Sequence, residues 1–294
     1  MKVEVPLRWG DMDAQGHVNN ARFLDYLQEA RTDFLLASPV AGMLGGGGAP
    51  GGVIVISHQI EFLAPIEFSG QPVIIDVRVD SAQRAQFSLA YDVWHDEVLC
   101  ARARTRLCPY DFPSGAVRRL TALERAFFES SVEPAEPFRT LARPTVADKG
   151  MGTPLRVRWS DLDTYGHVNN VEFFEYVQEG RIAFSTAAAA AMRRMSGSTD
   201  RDTMWLVVRQ DIEYRQQLAF RSESYEVRTG VAALGKSSST FSVEVRDPLD
   251  GTVFATAATV LVCADGKGRP KPVPQEWKDA LAPYWLGKGS GDQQ

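Results

Sequence analysis

The sequence predicts an α+β chain made of two copies of one unit, each a long helix followed by an antiparallel meander. Three observations carry this. First, residues 8–31 read RWGDMDAQGHVNNARFLDYLQEAR and residues 158–181 read RWSDLDTYGHVNNVEFFEYVQEGR, identical at 14 of 24 positions at a constant offset of 150. A period that long marks a duplicated domain rather than a solenoid. Second, Phe23, Leu27, Ala30 and Phe34 fall at helical spacing, and Phe173, Val177, Gly180 and Phe184 repeat the stripe. Third, the segments after each stripe alternate with period two, as half-buried strands do. The 294 residues suit about two domains at ~150 residues each.

Each element has a local reason. A short strand is expected to end at Trp9 or Trp159. A turn through Gly16 or Gly166 then leads into a helix of about four turns. On the next strand Ile54, Ile56, His58, Ile60 and Phe62 are expected on one face, with Ser57, Gln59 and Glu61 on the other. Three more strand-like runs follow, PVIIDVRV, FSLAYDVW and EVLCARARTRLC. The second copy continues in step: VVRQDIEY (207–214) aligns with VISHQIEF (55–62), and Cys263 with Cys108. The expected division is a first domain at 1–130, a Pro-rich linker at 131–150, a second domain at 151–286 and a disordered tail at 287–294. One helix cannot cover such a sheet twice, so the units are expected side by side, sheets joined edge to edge.

Composition excludes several classes. Hydrophobic residues are 44% and charged residues 23%, with a net charge of −5. That is ordinary globular usage without the basic excess of a nucleic-acid binder. The N-terminus has no apolar signal segment, and no run approaches the ~20 apolar residues of a spanning helix. Neither nucleic acid nor membrane is therefore expected as a partner. Cys100, Cys108 and Cys263 show no CxxC spacing, which suits buried thiols in the cytoplasm rather than disulfides or zinc. The Gly-rich stretch 43–52 is not followed by GK[ST], so it reads as a loop and not a phosphate cradle.

The chemistry concentrates in D-x-D-x-x-G-H-V-N-N. Asn19 and Asn169 are favoured N-cap residues. Asn20 and Asn170 would then be first in the helix, with backbone N–H groups pointing out of its positive end. Seven residues upstream stand Asp13 and Asp163. A carboxylate and a free N–H at one cleft suit attack on an acyl carbonyl. Alternatively Asp13 and Asp163 are turn or capping residues. Asp11 and Asp161 read as structural, bonded to turn amides. His17 and His167 either orient the site or pack the turn; with no i, i+4 partner they are not expected to hold a metal. Glu29 and Glu179 read as a solvated or ion-paired helix face.

The motif, the buried helix and the following strands resemble the hotdog-fold acyl thioesterases, most closely the branch of 4-hydroxybenzoyl-CoA thioesterase. Two copies on one chain resemble tandem hotdog enzymes. The resemblance covers roughly 1–120 and 151–272 and is most specific at Asp11–Asn20 and Asp161–Asn170. It implies two fused hotdog domains forming a pseudo-dimer, each a helix wrapped by an antiparallel sheet, with sites between the units. It implies hydrolysis of an acyl-CoA to a free acid and CoA without a cofactor or metal. Asp13 and Asp163 would act as nucleophile or base, and the N–H groups of Asn20 and Asn170 would polarise the carbonyl. By position, Arg84 and Lys236 would hold CoA phosphates; otherwise they are solvated charges. His58 and its counterpart Gln210 either border the acyl pocket or are satisfied core residues. Plant acyl-ACP enzymes look different: they carry asparagine where this chain has Gln15 and Tyr165, and an acidic residue or cysteine where it has Gln217 and Leu218. A non-catalytic acyl-CoA sensor and an acyl-ACP thioesterase remain as alternatives. Self-association of the pseudo-dimer is a further expectation.

Overall fold

Residues 1–45, 51–196 and 203–287 are described by the computed structural model, and the chain divides into two units, Met1–Arg139 and Thr140–Gln294. The first unit holds β1 (Lys2–Val5), α1 (Phe23–Leu36), β2 (Gly51–Phe62), β3 (Val73–Ala82), β4 (Phe87–His95), β5 (Val98–Asp111), the short β6 (Ala116–Val117) and α2 (Ala122–Ser130). Its strands run in the order β1-β3-β4-β5-β2, with β6 on β5, and all pair antiparallel. The second unit holds β7 (Met151–Leu155), α3 (Glu172–Ser196), β8 (Met204–Tyr214), β9 (Tyr225–Leu234), β10 (Ser238–Arg246), β11 (Val253–Ala264) and α4 (Gln275–Leu281). Its order β7-β9-β10-β11-β8 repeats the first. This is the expected α+β plan, one long helix against an antiparallel sheet, twice over.

The helix stripes are the buried ones. Phe23, Leu27 and Ala30 are 3%, 0% and 0% exposed, and Phe173, Val177 and Phe184 are 3%, 1% and 0%. Gly180 stands where the first copy has Ala30, and it marks a close approach: a Cβ there would fall on Val227 Cγ1 of β9. On β5, Ala101, Ala103, Thr105 and Leu107 are buried, while Arg102, Arg104 and Arg106 alternate with them on the other face. Phe62, paired with Ala101, meets Phe23 of α1 edge to face at 5.1 Å, so the alanine–threonine face is the one under the helix.

Several expectations need correction. β1 and β7 end at Val5 and Leu155, and Trp9 and Trp159 open separate 3-10 turns; Pro6, next after β1, has no N–H to extend its ladder. Along β2 the register slips between Val55 and Ser57, leaving Ile56 as an extra residue. Such a bulge reverses the alternation, so Val55, not Ile54, shares a face with His58, Ile60 and Phe62. In β8 the matching slip leaves Val208 extra. Helix α1 has the expected length at 14 residues, but α3 runs for 25, because the alanine-rich run from Thr186 propagates it. Gly51 and Gly52 of the Gly-rich stretch begin β2; its residues 46–50 lie outside the described residues, as do tail residues 288–294.

The Pro-rich segment is docked chain. Val132 bridges Val79 of β3, and the Ala135 N–H donates to Asp80 Oδ1 at 2.9 Å. Further on, the Val146 N–H donates to Glu244 Oε1 at 2.9 Å, and Val146 is fully buried in the second unit. Two C-terminal helices close the units. Phe128 of α2 stacks on Phe87 at 4.1 Å, and Trp277 of α4 lies against Trp205 at 4.7 Å. No helix among the described residues is long and apolar enough to cross a membrane.

Candidate active site

The D-x-D segment forms a tight turn fastened at both ends. The Val18 N–H donates to the Ile66 carbonyl at 2.8 Å, and the Asn19 N–H to the Asp11 carbonyl at 2.8 Å. Between them the Asp13 N–H donates to the His17 carbonyl at 2.7 Å, and the Gly16 N–H to the Asp13 carbonyl at 3.0 Å. The turn requires φ of +81° at Gly16 and +80° at Gly166, the left-handed region where glycine carries no Cβ penalty. The second copy repeats the bonds: Asp163 to His167 at 2.8 Å, Val168 to Leu218 at 3.0 Å, Asn169 to Asp161 at 2.8 Å.

The turn orients the Asp13 carboxylate. Its Oδ1 accepts from the backbone N–H groups of Gln15 at 2.8 Å and His17 at 3.3 Å. Asp163 Oδ1 accepts from Tyr165 and His167 at 2.8 and 3.2 Å. This is the geometry of a turn aspartate, and among the described residues it engages one carboxylate oxygen, Oδ1. Through Oδ2, each side chain still offers an acceptor or nucleophilic atom at a half-buried position.

Asn19 caps the helical segment, Oδ1 accepting from the Ala21 N–H at 3.0 Å; Asn169 does the same for Val171 at 3.4 Å. Asn20 opens a 3-10 turn that runs into α1, so its N–H has no partner within the helix. Carboxylate and N–H therefore sit on one short segment, positioned by the same turn.

Asp161 accepts a turn amide as expected, and both Asp11 and Asp161 carry a further bond from the helix. The Tyr26 hydroxyl donates to Asp11 Oδ2 at 2.7 Å, and the Tyr176 hydroxyl to Asp161 Oδ2 at 2.6 Å. Each pair ties the turn to its helix. Burial, and then the bond to the carboxylate, push both phenols well above their ordinary pKa. Asp161 also takes a turn amide, the Arg158 N–H at 2.8 Å. The tyrosines recur at the same place in both copies of the repeat, a signal that passes for a core position until the bond to the aspartate is seen.

The remaining candidates separate. His17 pairs with Glu67 through a backbone bridge, its Nε2 lying 4.0 Å from Glu67 Oε1; His167 bridges Ala219. Both histidines give the aspartate a backbone amide. Glu29 and Glu179 are exposed. His58, 1% exposed, meets Thr105 Oγ1 through Nδ1 at 2.9 Å beneath α1. Gln210 and Thr259 hold the equivalent places, where Gln210 Nε2 and Thr259 Oγ1 have no hydrogen-bond partner among the described residues. Arg84 and Lys236 are exposed at the β3–β4 and β9–β10 hairpins. Within a unit that is the far end of the sheet from the turn: β1 leads into the turn from Val5, which pairs with Val73 at the start of β3, and ten residues of strand span ~33 Å. Among the described residues no group of three or more His, Cys, Asp or Glu side chains is placed to hold a metal.

Sequence reading missed one exposed feature. Trp9 and Trp159 are each 74% exposed and meet Phe68 and Phe220 edge to face at 5.2 and 5.4 Å. Phe68 follows Glu67, the bridge partner of His17, so this aromatic pair rides on the same turn.

The sequence profile of the Thioesterase-like superfamily matches residues 7–137 and again 157–281. The uncharacterized protein YsmA of Bacillus subtilis is 32% identical over 108 residues, 37% of this chain and 68% of that protein. Among solved structures, a putative oleoyl thioesterase from Lactobacillus plantarum superposes with a TM-score of 0.70 at 14% identity, covering 92% of this chain and 96% of that one. An acyl-ACP thioesterase from Bacteroides thetaiotaomicron gives a TM-score of 0.65 at 12% identity, covering 89% and 97%.

Proposed function

The chain belongs to the thioesterase-like superfamily and is a thioester hydrolase, and from there we propose that it cleaves acyl-CoA thioesters at the two D-x-D turns. One observation carries the reading: the turn holds a carboxylate with one engaged oxygen and, seven residues on, leads into a helix whose first N–H lacks an intrahelical partner. In the reaction the Asn20 N–H donates a hydrogen bond to the thioester oxygen as negative charge develops on it. Asp13 Oδ2 then either attacks the carbonyl carbon or takes a proton from a water that does. The C–S bond breaks, and CoA leaves as a thiolate that gains a proton. If the carboxylate attacks, water hydrolyses the resulting anhydride and frees the acid. In the second copy Asp163 takes the role of Asp13, and the Asn170 N–H, in the turn two residues before α3, takes that of Asn20. No metal or redox cofactor enters these steps.

Within the superfamily we place the chain in the branch of 4-hydroxybenzoyl-CoA thioesterase, on the spacing of D-x-D-x-x-G-H. Gln15, Tyr165, Gln217 and Leu218 favour CoA over acyl carrier protein, because the plant-type polar residues are missing there. Three free, buried cysteines fit a reducing cytoplasm. Thiol release from a panel of short, long, branched and aromatic acyl-CoAs, with matched acyl-ACPs, tests the reading. Asp13→Asn and Asp163→Asn keep the shape of the turn and remove its charge. Each is expected to retain about half the activity and the double variant to lose about 100-fold or more. A folded, fully active double variant overturns the assignment.

A further inference from the structure

Beneath α1 the first unit buries a cation without an acid. Arg31 is 6% exposed, and its Nη1 has no hydrogen-bond partner among the described residues. It faces Tyr91 of β4, 1% exposed, whose hydroxyl lies within reach of Arg31 and Thr105 but makes no well-aligned hydrogen bond among the described residues. Beside Tyr91 stands Thr105, bonded to His58. Arginine remains charged at any working pH, and a buried charge is costly unless it is paired. Elsewhere in this unit half-buried guanidinium groups do find carboxylates, as Arg104 finds Asp80 at 2.8 Å and Arg118 finds Glu124 at 2.8 Å. Around Arg31 the open positions are an N–H and a hydroxyl, both able to donate. An incoming carboxylate would satisfy both.

The cluster lies within reach of the turn. Eleven residues separate Asn20 from Arg31, about 16 Å along a helix. The sheet gives the same scale: from Phe62, at the N-terminal end of α1 beside Phe23, to His58 is about 13 Å of strand. A long helical side chain leans back toward the N-terminus, leaving on the order of 10 Å to bridge, the span of about eight carbons. The second unit lacks this arrangement. Val243 stands where the first has Tyr91, and the orphaned atoms there are neutral, Gln210 Nε2, Thr229 Oγ1 and Thr259 Oγ1. Burial holds Arg181, the counterpart of Arg31, below the ordinary arginine pKa.

We infer that Arg31 and Tyr91 select acyl groups of medium length whose far end carries a carboxylate. The inference rests on the acyl thioester reading above. It makes Arg31 a specificity-determining residue, forming a charge-assisted hydrogen bond to the distal carboxylate while the thioester lies at the turn.

The test compares octanedioyl-CoA with octanoyl-CoA by thiol release. The wild-type protein is expected to favour octanedioyl-CoA in kcat/KM by at least about tenfold, the worth of a hydrogen bond to a charged group. In Arg31→Met that ratio is expected to fall to about one, and in Tyr91→Phe to an intermediate value. No preference in the wild type, or a preference that survives in a folded Arg31→Met, overturns the inference. If Arg31→Met fails to fold, the wild type decides alone through thermal unfolding. Free octanedioate must then raise the melting temperature more than octanoate at equal concentration; equal shifts overturn the inference. Failure to hydrolyse any acyl-CoA sinks the thioester reading instead, while the thermal measurement still reports on the carboxylate site.

Discussion

The tyrosine–aspartate tie between helix and turn differs between the two copies, and that difference sets a measurable asymmetry. Tyr176 donates to Asp161, a carboxylate only 6% exposed, whereas Tyr26 donates to Asp11, which is partly open to solvent. Replacing either tyrosine by phenylalanine keeps the ring and removes one donor. Asp161 Oδ2 would keep the Arg158 N–H but lose its shortest bond, 2.6 Å, at a site water reaches poorly. Removing a donor from a buried charged acceptor costs about 2–3 kcal/mol. At Asp11 water can replace the hydroxyl, and the cost falls to about 1 kcal/mol. For units of this size Tyr176→Phe should lower the melting temperature by about 4–10 °C and Tyr26→Phe by about 2–4 °C. Thermal unfolding followed by tryptophan fluorescence reads both. A double variant with Asp161→Asn should be less destabilised than the sum of its parts, since both changes break one bond. Equal losses from the two tyrosine variants, or a loss below about 0.5 kcal/mol at Tyr176, contradict the claim that burial decides.

Other expectations follow from the same packing. Gly180→Ala gains about 1 kcal/mol of helix propensity but drives a methyl into Val227, so a net loss of about 1–2 kcal/mol is expected in urea unfolding; stabilisation would show that α3 can back away from β9. Glu124 sits in a bidentate pair with Arg118, both bonds 2.8 Å, and although burial raises its pKa, these bonds and the Thr121 amide lower it overall. A lowered folded pKa stabilises above the unfolded value and is lost as pH falls through the folded one. The stability gap between wild type and Glu124→Gln should therefore be full above about pH 5 and shrink below about pH 4; a pH-independent gap contradicts this. Burial pushes the Cys100 and Cys108 thiols up, so a charged disulfide reagent at pH ~8 should label them only after unfolding.

How much was legible depended on the kind of signal. The repeat fixed the duplication, and the helix stripes were right because a 3.6-residue period survives any local detail. The N-cap at Asn19 and the glycine turn were readable because each has one local physical cause. The face of β2 was misread, since a one-residue bulge at Ile56 leaves no mark in composition yet inverts everything before it. The closing helix α2 was missed although its start is written in the sequence: Thr121 and Glu124 form a capping box. The Tyr26–Asp11 bond joins residues fifteen apart across a turn, and only the folded chain shows that. The unpaired state of Arg31 was equally hidden, because a charged residue on a helix is ordinarily a solvated one.

The bulges at Ile56 and Val208 outlast the side chains around them. Two residues beyond each, the position facing the helix has changed from histidine to glutamine, and the neighbours on the opposite face have changed from Ser57 and Gln59 to the buried Arg209 and Asp211. The backbone path is thus inherited as a fixed template, and the identity of each projecting group is free to drift. One ancestral strand can in this way furnish two interiors of different polarity within a single gene product, without any change in how its ladder is drawn.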